Sequence, residues 1–305
     1  MVVSGLLAAT SLGMVSCGED DLEGDDSGSG DKGKVTVASQ TFTEAALIAN
    51  MFEQVLEKAG YDVTVKLVDS RDAYVKEMPD DVQISADYVG GMVDFLNSTV
   101  NGADAEPLTT SDPGESLDNA ASLLEEKGIT ALDPAEATDQ NAFFVTQEYA
   151  EENSLTTLSD LEGKSVVLAA APDCKGRGDC EGGLSDVYGI DITKVLALGY
   201  ASPQTFKAVI DGEAQLGETS TTDGTLESQG LVLLEDDKAI QPAQNIIPFM
   251  STAFLEDNQE AADALNELMA VLTTEDLVEL NEKAGVQRLK VEDVAKEYLE
   301  ENDLL

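Results

Sequence analysis

The sequence predicts an α/β protein, and three observations carry that reading. Short runs rich in Val and Ile alternate with amphipathic stretches of helical period, Gly-containing punctuation separates them, and no repeat of solenoid length recurs. Lys34-Val35-Thr36-Val37-Ala38 reads as a strand. From about Glu44 to Lys58 the period becomes helical, with Leu47, Ile48, Met51, Phe52, Val55 and Leu56 on one face and Gly60 as the stop. Tyr61 to Val68 alternates as a second strand and Val82 to Ser85 forms a third. Val89-Gly90-Gly91 reads as a turn into a short helix, and Leu117, Ala120, Ala121 and Leu124 mark another that ends at Lys127-Gly128. This β-α-β-α rhythm predicts parallel strands.

A second unit starts near Asp139. Ala142 to Thr146 and Ser165 to Ala169 read as buried strands, joined by the polar helix and turn from Thr157 to Lys164. Gly163-Lys164-Ser165 is no phosphate loop, because Leu158 occupies the place where that motif needs glycine. Ser202-Pro203 opens a helix with a side-chain cap and proline at its first position, and Asp211-Gly212 closes it. Gln215 to Gly217 is a strand leading into Glu218-Thr219-Ser220-Thr221-Thr222-Asp223. After Asn245 to Phe249 the chain is helical over Glu260–Leu272, Thr274–Ala284 and Val291–Glu300.

At 305 residues there is material for about two domains. Histidine is absent, which removes imidazole bases, Ser-His-Asp and Cys-His sites and imidazole metal ligands. No enzyme signature survives, and neither a cofactor nor a metal is expected. With 61 acidic against 17 basic residues, nucleic acid is excluded as a partner and the carboxylates read as a self-repelling, solvated surface. Asp25 to Asp31 lacks the ligand spacing of a calcium loop.

The first seventeen residues are uncharged, mostly apolar or small, and end in Cys17, as a signal-peptide core does. Met14-Val15-Ser16-Cys17 resembles a bacterial lipobox, with Met where Leu is usual and no basic segment ahead of it. The expectation is a signal peptide over 1–17, lipid on Cys17, and a flexible acidic tether over 18–34. That places the rest outside the cytoplasm, anchored to the cell membrane, where Cys174 and Cys180 pair as a disulfide.

Several segments, by their order and spacing, resemble the glycine betaine/choline-type substrate-binding proteins of ABC importers. They are V-T-V-A-S-Q-T-F-T-E-A, S-R-D-A-Y at Ser70, A-D-Y-V-G-G at Ala86 and D-P-A-E-A-T-D-Q-N-A-F-F-V-T at Asp133. The Cys174/Cys180 loop, L-S-D-V-Y-G at Leu184, S-T-T-D at Ser220 and L-E-D-D-K-A-I-Q-P-A-Q-N at Leu234 follow. The resemblance runs from about Val35 to Leu299. It implies the type II periplasmic-binding-protein fold, with residues 35–138 plus 245–305 as lobe 1, 139–244 as lobe 2, and ligand in the cleft between them. It also implies a monomer that hands a small zwitterionic or cationic solute to separate permease and ATPase subunits.

A quaternary ammonium gives no strong hydrogen bonds, so aromatic faces must hold it, while a carboxylate on the same solute needs Arg or convergent donors. By the resemblance, the aromatic wall falls on Tyr88 and Phe206, with Asn141 and Ser220 at two further wall positions. Phe42 of the T-F-T-E stretch joins the ligand-binding set. The carboxylate side falls on Gln40, Gly91 and Arg177, and Asp139, Thr221, Thr222 and Asp223 complete the polar lining. Simpler readings stand beside these: Phe206 as core, Asp223 as a turn cap, Arg71 as the partner of a carboxylate, Asp139 as a support for backbone. Glycine betaine or choline is the expected solute, an amino acid or small carboxylate the alternative. Arg177-Gly178-Asp179 as an adhesion motif, or the acidic surface as an ion binder, is the remote one.

Overall fold

The computed structural model describes residues 32–103 and 105–305, so the signal peptide, Cys17 and most of the tether lie outside the described residues. The strands are β1 Lys34–Gln40, β2 Asp62–Val68, β3 Ile84–Tyr88, β4 Ile129–Ala131, β5 Asn141–Thr146, β6 Ser165–Ala170, β7 Asp191–Ala197, β8 Leu216–Ser220, β9 Leu231–Leu234 and β10 Ile246–Ser251. They form two five-stranded sheets, ordered β2-β1-β3-β10-β4 and β7-β6-β8-β5-β9. The helices are α1 Thr43–Lys58, α2 Arg71–Val75, α3 Val89–Asn101, α4 Pro113–Lys127, α5 Gln147–Asn153, α6 Glu181–Asp186 and α7 Pro203–Ile210. After β10 come α8 Thr252–Asp257, α9 Gln259–Met269, α10 Thr274–Asn281 and α11 Val291–Glu301.

Both sheets are mixed, which corrects the expectation of parallel strands. β1 runs parallel to β2 and β3, and β6 parallel to β7 and β8. β10 is antiparallel to β3 and β4, and β5 antiparallel to β8 and β9. The cause lies in the connectivity. β5 and β10 are the strands that enter each sheet just after the chain has crossed from the other, and a Thr138–Asn245 bridge joins the two crossings. Local periodicity carries no record of such a crossing.

Each sheet is covered on both faces. On the first, the apolar stripe of α1 packs with Val35, Val37 and Ile84 against α9, α10 and α11. On the other face, Tyr74, Met92, Leu96, Leu124 and Phe249 form a separate core. Each fully buried side chain of that stripe contributes roughly 1.5–3 kcal/mol. In the second sheet the alternation of side chains is visible in β5, where Phe143 and Val145 join Leu168 and Leu216 in one core while Phe144 faces the other.

Helix ends follow from the residues there. Asp112 accepts from the Glu115 N–H at 2.8 Å ahead of Pro113, and Gly128 closes α4 with a left-handed φ of 65°. Ser202 accepts from the Thr205 N–H at 3.1 Å ahead of Pro203, the cap its sequence predicts. The expected turn at Val89-Gly90-Gly91 is instead the first turn of α3, directly after Tyr88. Glycine pairs read as turns, but here the crossing segment satisfies the helix start. The N–H groups of Val89, Gly90 and Gly91 donate to Asn245 O, Ala243 O and Gln244 Oε1 at 3.0, 3.0 and 3.1 Å.

Candidate functional site: a cleft of rings and carboxylates

The C-terminal ends of β1, β3 and β8 bring side chains from both sheets to one place. Phe42, just past β1, stacks on Tyr88 at the end of β3, with ring centroids 6.1 Å apart and planes 22° apart. Phe42 stays 43% exposed, so one ring face remains open. The Tyr88 hydroxyl donates to Glu44 Oε1 at 2.7 Å, and Asn281 Nδ2 donates to Glu44 Oε2 at 2.6 Å. Asn281 also donates to the Thr222 carbonyl at 3.0 Å, which ties α10 to the end of β8. Gly224 lets that approach happen, since a Cβ there would lie 2.7 Å from Val278 O and Glu282 N.

Asp139 lies on the other side of these groups, joined to Glu44 through Asn281 and Thr222, and the two carboxyls act on each other. Thr222 Oγ1 donates to Asp139 Oδ1 at 3.1 Å, and Ser220 Oγ lies 3.2 Å from Thr222 Oγ1. Burial first, and then the Glu44 charge, push Asp139 up to about 7, against the opposing pull of the Ser220 and Thr222 hydroxyls. Burial and the Glu44 and Asp139 charges also hold the Tyr88 phenol well above its ordinary value. Tyr200, between β7 and α7, was not expected here. Burial of its hydroxyl, then the charges of Asp139 and Glu218, raise it too, and Ser220 is within reach. The residue as a whole is still 43% exposed.

The three positions expected to face a solute carboxylate are each engaged within the protein. Arg177 forks onto Asp179, with Nε to Oδ1 at 2.9 Å and Nη2 to Oδ2, and reaches Asp173 at 3.3 Å. Asn141 Nδ2 donates to the same Asp179 at 3.1 Å, so two expected ligand groups hold each other through an unexpected third. Gln40 Oε1 accepts from Arg71 Nη2 at 3.2 Å. Arg71 is itself paired with the buried Asp87 at 2.7 Å, and Tyr74 donates to the same carboxylate. Gly91 is where it is for steric reasons: a Cβ would sit 2.4 Å from Arg71 Nη2.

Other expected ligand groups have structural places. Phe206 stacks on Phe144 at 4.9 Å inside a core cluster with Ala208 and Val209, in place of the aromatic wall expected of it. Thr221 pins the crossing, its Oγ1 donating to Thr138 O at 2.7 Å and accepting from Gln140 N at 3.0 Å. Asp223 caps the turn after β8 by accepting from Thr225 N at 2.9 Å and Thr225 Oγ1 at 2.6 Å. Cys174 and Cys180 form a disulfide. Phe42, Tyr88, Asp139, Ser220 and Thr222 therefore share the cleft, joined by Glu44 and Tyr200. An acid in the first turn of a helix is ordinary near the positive end of the dipole, so Glu44 gave no signal of facing inward. Tyr200 is one aromatic in the short loop Leu198–Ser202, and a long-range bond, Ala201 N–H to Glu218 O of β8 at 3.3 Å, is what ties that loop beside Ser220.

Two mixed α/β lobes with a cleft lined from both are the architecture of periplasmic-type solute-binding proteins, and that is the class of this molecule. Residues 33–301 match the family described as the substrate binding domain of ABC-type glycine betaine transport systems, and the chain belongs to it. A glycine-betaine-binding protein of Pseudomonas aeruginosa is 25% identical over 287 residues, covering 88% of each chain. The carnitine transport binding protein OpuCC of Listeria monocytogenes is 24% identical, covering 98% of this chain and 95% of its own. Among solved structures, apo YehZ from Escherichia coli superposes with a TM-score of 0.75 at 25% identity, covering 89% of this chain and 99% of that one.

Proposed function

We propose that this protein is the extracytoplasmic receptor of an ABC importer and captures a small quaternary-ammonium solute, glycine betaine, choline or a relative, for transfer to a permease and its ATPase. The observation that carries the reading is the meeting of Phe42, Tyr88 and Tyr200 with Glu44 and Asp139 across the cleft of a fold that belongs to this family. Ring faces and carboxylates are the two groups that attract a cation unable to donate strong hydrogen bonds. Residues 35–138 plus 245–305 act as one lobe and 139–244 as the other, moving about the crossings near Thr138 and Asn245. Lipid on Cys17 holds the receptor, a monomer, to the membrane, and the acidic stretch over 18–34 gives it reach.

Titration calorimetry of the mature protein against betaine, choline, carnitine, proline betaine and ectoine tests the reading. Heat with at least one quaternary ammonium is expected, and the same solute should raise the melting temperature by mass action. Silence across the panel would refute it.

A further inference from the structure

Resting on that reading, we propose that the Glu44–Asp139 pair makes the cleft select a quaternary-ammonium cation without a carboxylate, such as choline, over zwitterionic betaine, the incoming cation replacing a proton held by the pair. The acid pair is one of two independent observations behind this. The other is that the cationic groups and the helix start on the anion-holding side have partners already. Arg177 is spent on Asp173 and Asp179, and Arg71 on Asp87 and Gln40. The first N–H groups of α3 are taken by the Ala243–Asn245 segment. A betaine carboxylate entering here would meet no uncommitted guanidinium of Arg71 or Arg177 while its ammonium sat beside the rings.

Among the described residues, the partners of the pair and of its two tyrosines are acidic or neutral. Glu44 comes from α1, Tyr88 from the junction of β3 and α3, Asn281 from α10, and Ser220 and Thr222 from the end of β8. Asp87 acts on Tyr88, while Glu218 and Asp223 act on Tyr200 from the opposite wall. Two neighbouring carboxyls, one buried and one partly so, cannot both ionise cheaply, so one proton is retained until a positive charge arrives. When the ammonium enters, that proton leaves to solvent and both oxygens face the cation. Below the raised value of Asp139 choline must displace the proton, so its affinity increases with pH, by at most about tenfold per unit. Above that value the dependence levels off.

The experiment is calorimetry of choline and betaine on the mature protein at about pH 5.5 and about pH 8, in buffers of differing ionisation enthalpy, which counts protons exchanged. Expected are choline binding at least about tenfold tighter at the higher pH, release of close to one proton at the lower pH and of much less at the higher, and choline preferred to betaine at the higher. In Asp139→Asn the choline affinity should become flat with pH and the preference over betaine should shrink. A purely structural role would weaken both solutes alike and leave wild-type binding without proton release. Betaine binding as tightly as choline, or choline binding with no proton release, overturns the selection mechanism and leaves the receptor reading intact. Failure of both solutes and of the wider panel overturns both.

Discussion

At Gly91 a hydrogen atom in place of a methyl leaves room for the guanidinium of a buried ion pair. The Arg71 guanidinium occupies the space a Cβ would need, 2.4 Å from Nη2, and Asp87 behind it has a side chain 1% exposed. Gly91→Ala should push the guanidinium aside and weaken its pair with Asp87, which keeps the Tyr74 hydroxyl and the Tyr88 N–H as donors, at a cost of about 1–3 kcal/mol in urea unfolding. Adding Arg71→Ala to Gly91→Ala should then cost far less than Arg71→Ala alone, because both changes remove the same interaction. Additive losses would mean that Gly91 serves the backbone instead. Of the site, Tyr88, Phe42 and Asp139 were legible in the sequence because family motifs surround them. Their roles were not, since Glu44, whose charge acts on Asp139, lies 95 positions back in the chain, and Asn281 far beyond it.

Among elements, the helices were the more legible. The stripe of α1, the Ser202 cap and the Gly128 stop are written within a few residues of where they act. The strands at the crossings were not, because antiparallel insertion of β5 and β10 depends on where the chain came from. The Cys174–Cys180 loop shows an element held from both ends. Its disulfide sits in the core of the second lobe, while Arg177 and Asp179 clasp above it and Gln241 Nε2 donates to Asp179 O at 2.8 Å. The loop thus positions Asp179 for Asn141 rather than aiming a free cation at solute. Replacing both cysteines by serine should cost about 2 kcal/mol of stability, as the chain-entropy relation gives for so short a loop. Chemical denaturation with a matched reduced control checks it; an unchanged midpoint would mean the hydrogen bonds alone hold the loop.

For the molecule as a whole the formal net charge of −44 dominates. Several of the ion pairs among the described residues have both side chains exposed and contribute little each, so they do not offset the mutual repulsion of the carboxylates. Salt shortens the reach of that repulsion from about 10 Å at 0.1 M to about 3 Å at 1 M. Raising sodium chloride over that range should lift the melting temperature by roughly 5 °C or more, on the order of 2 kcal/mol for a chain of this size. A melting temperature that falls or stays level would show that the surface charges are already compensated.

By itself the sequence determined the alternation of strands and helices, the exclusion of imidazole chemistry, the acidic surface and the family motifs, because each is a property of composition or of neighbours along the chain. The tertiary structure alone decided that Arg177 is spent on Asp179, that Phe206 belongs to the core, that Gly91 makes room for Arg71, and that Glu44, Asp139 and Tyr200 meet. Those facts depend on which strand ends face one another across two crossings, and a contact between distant segments is set by three-dimensional register, which local spacing does not encode.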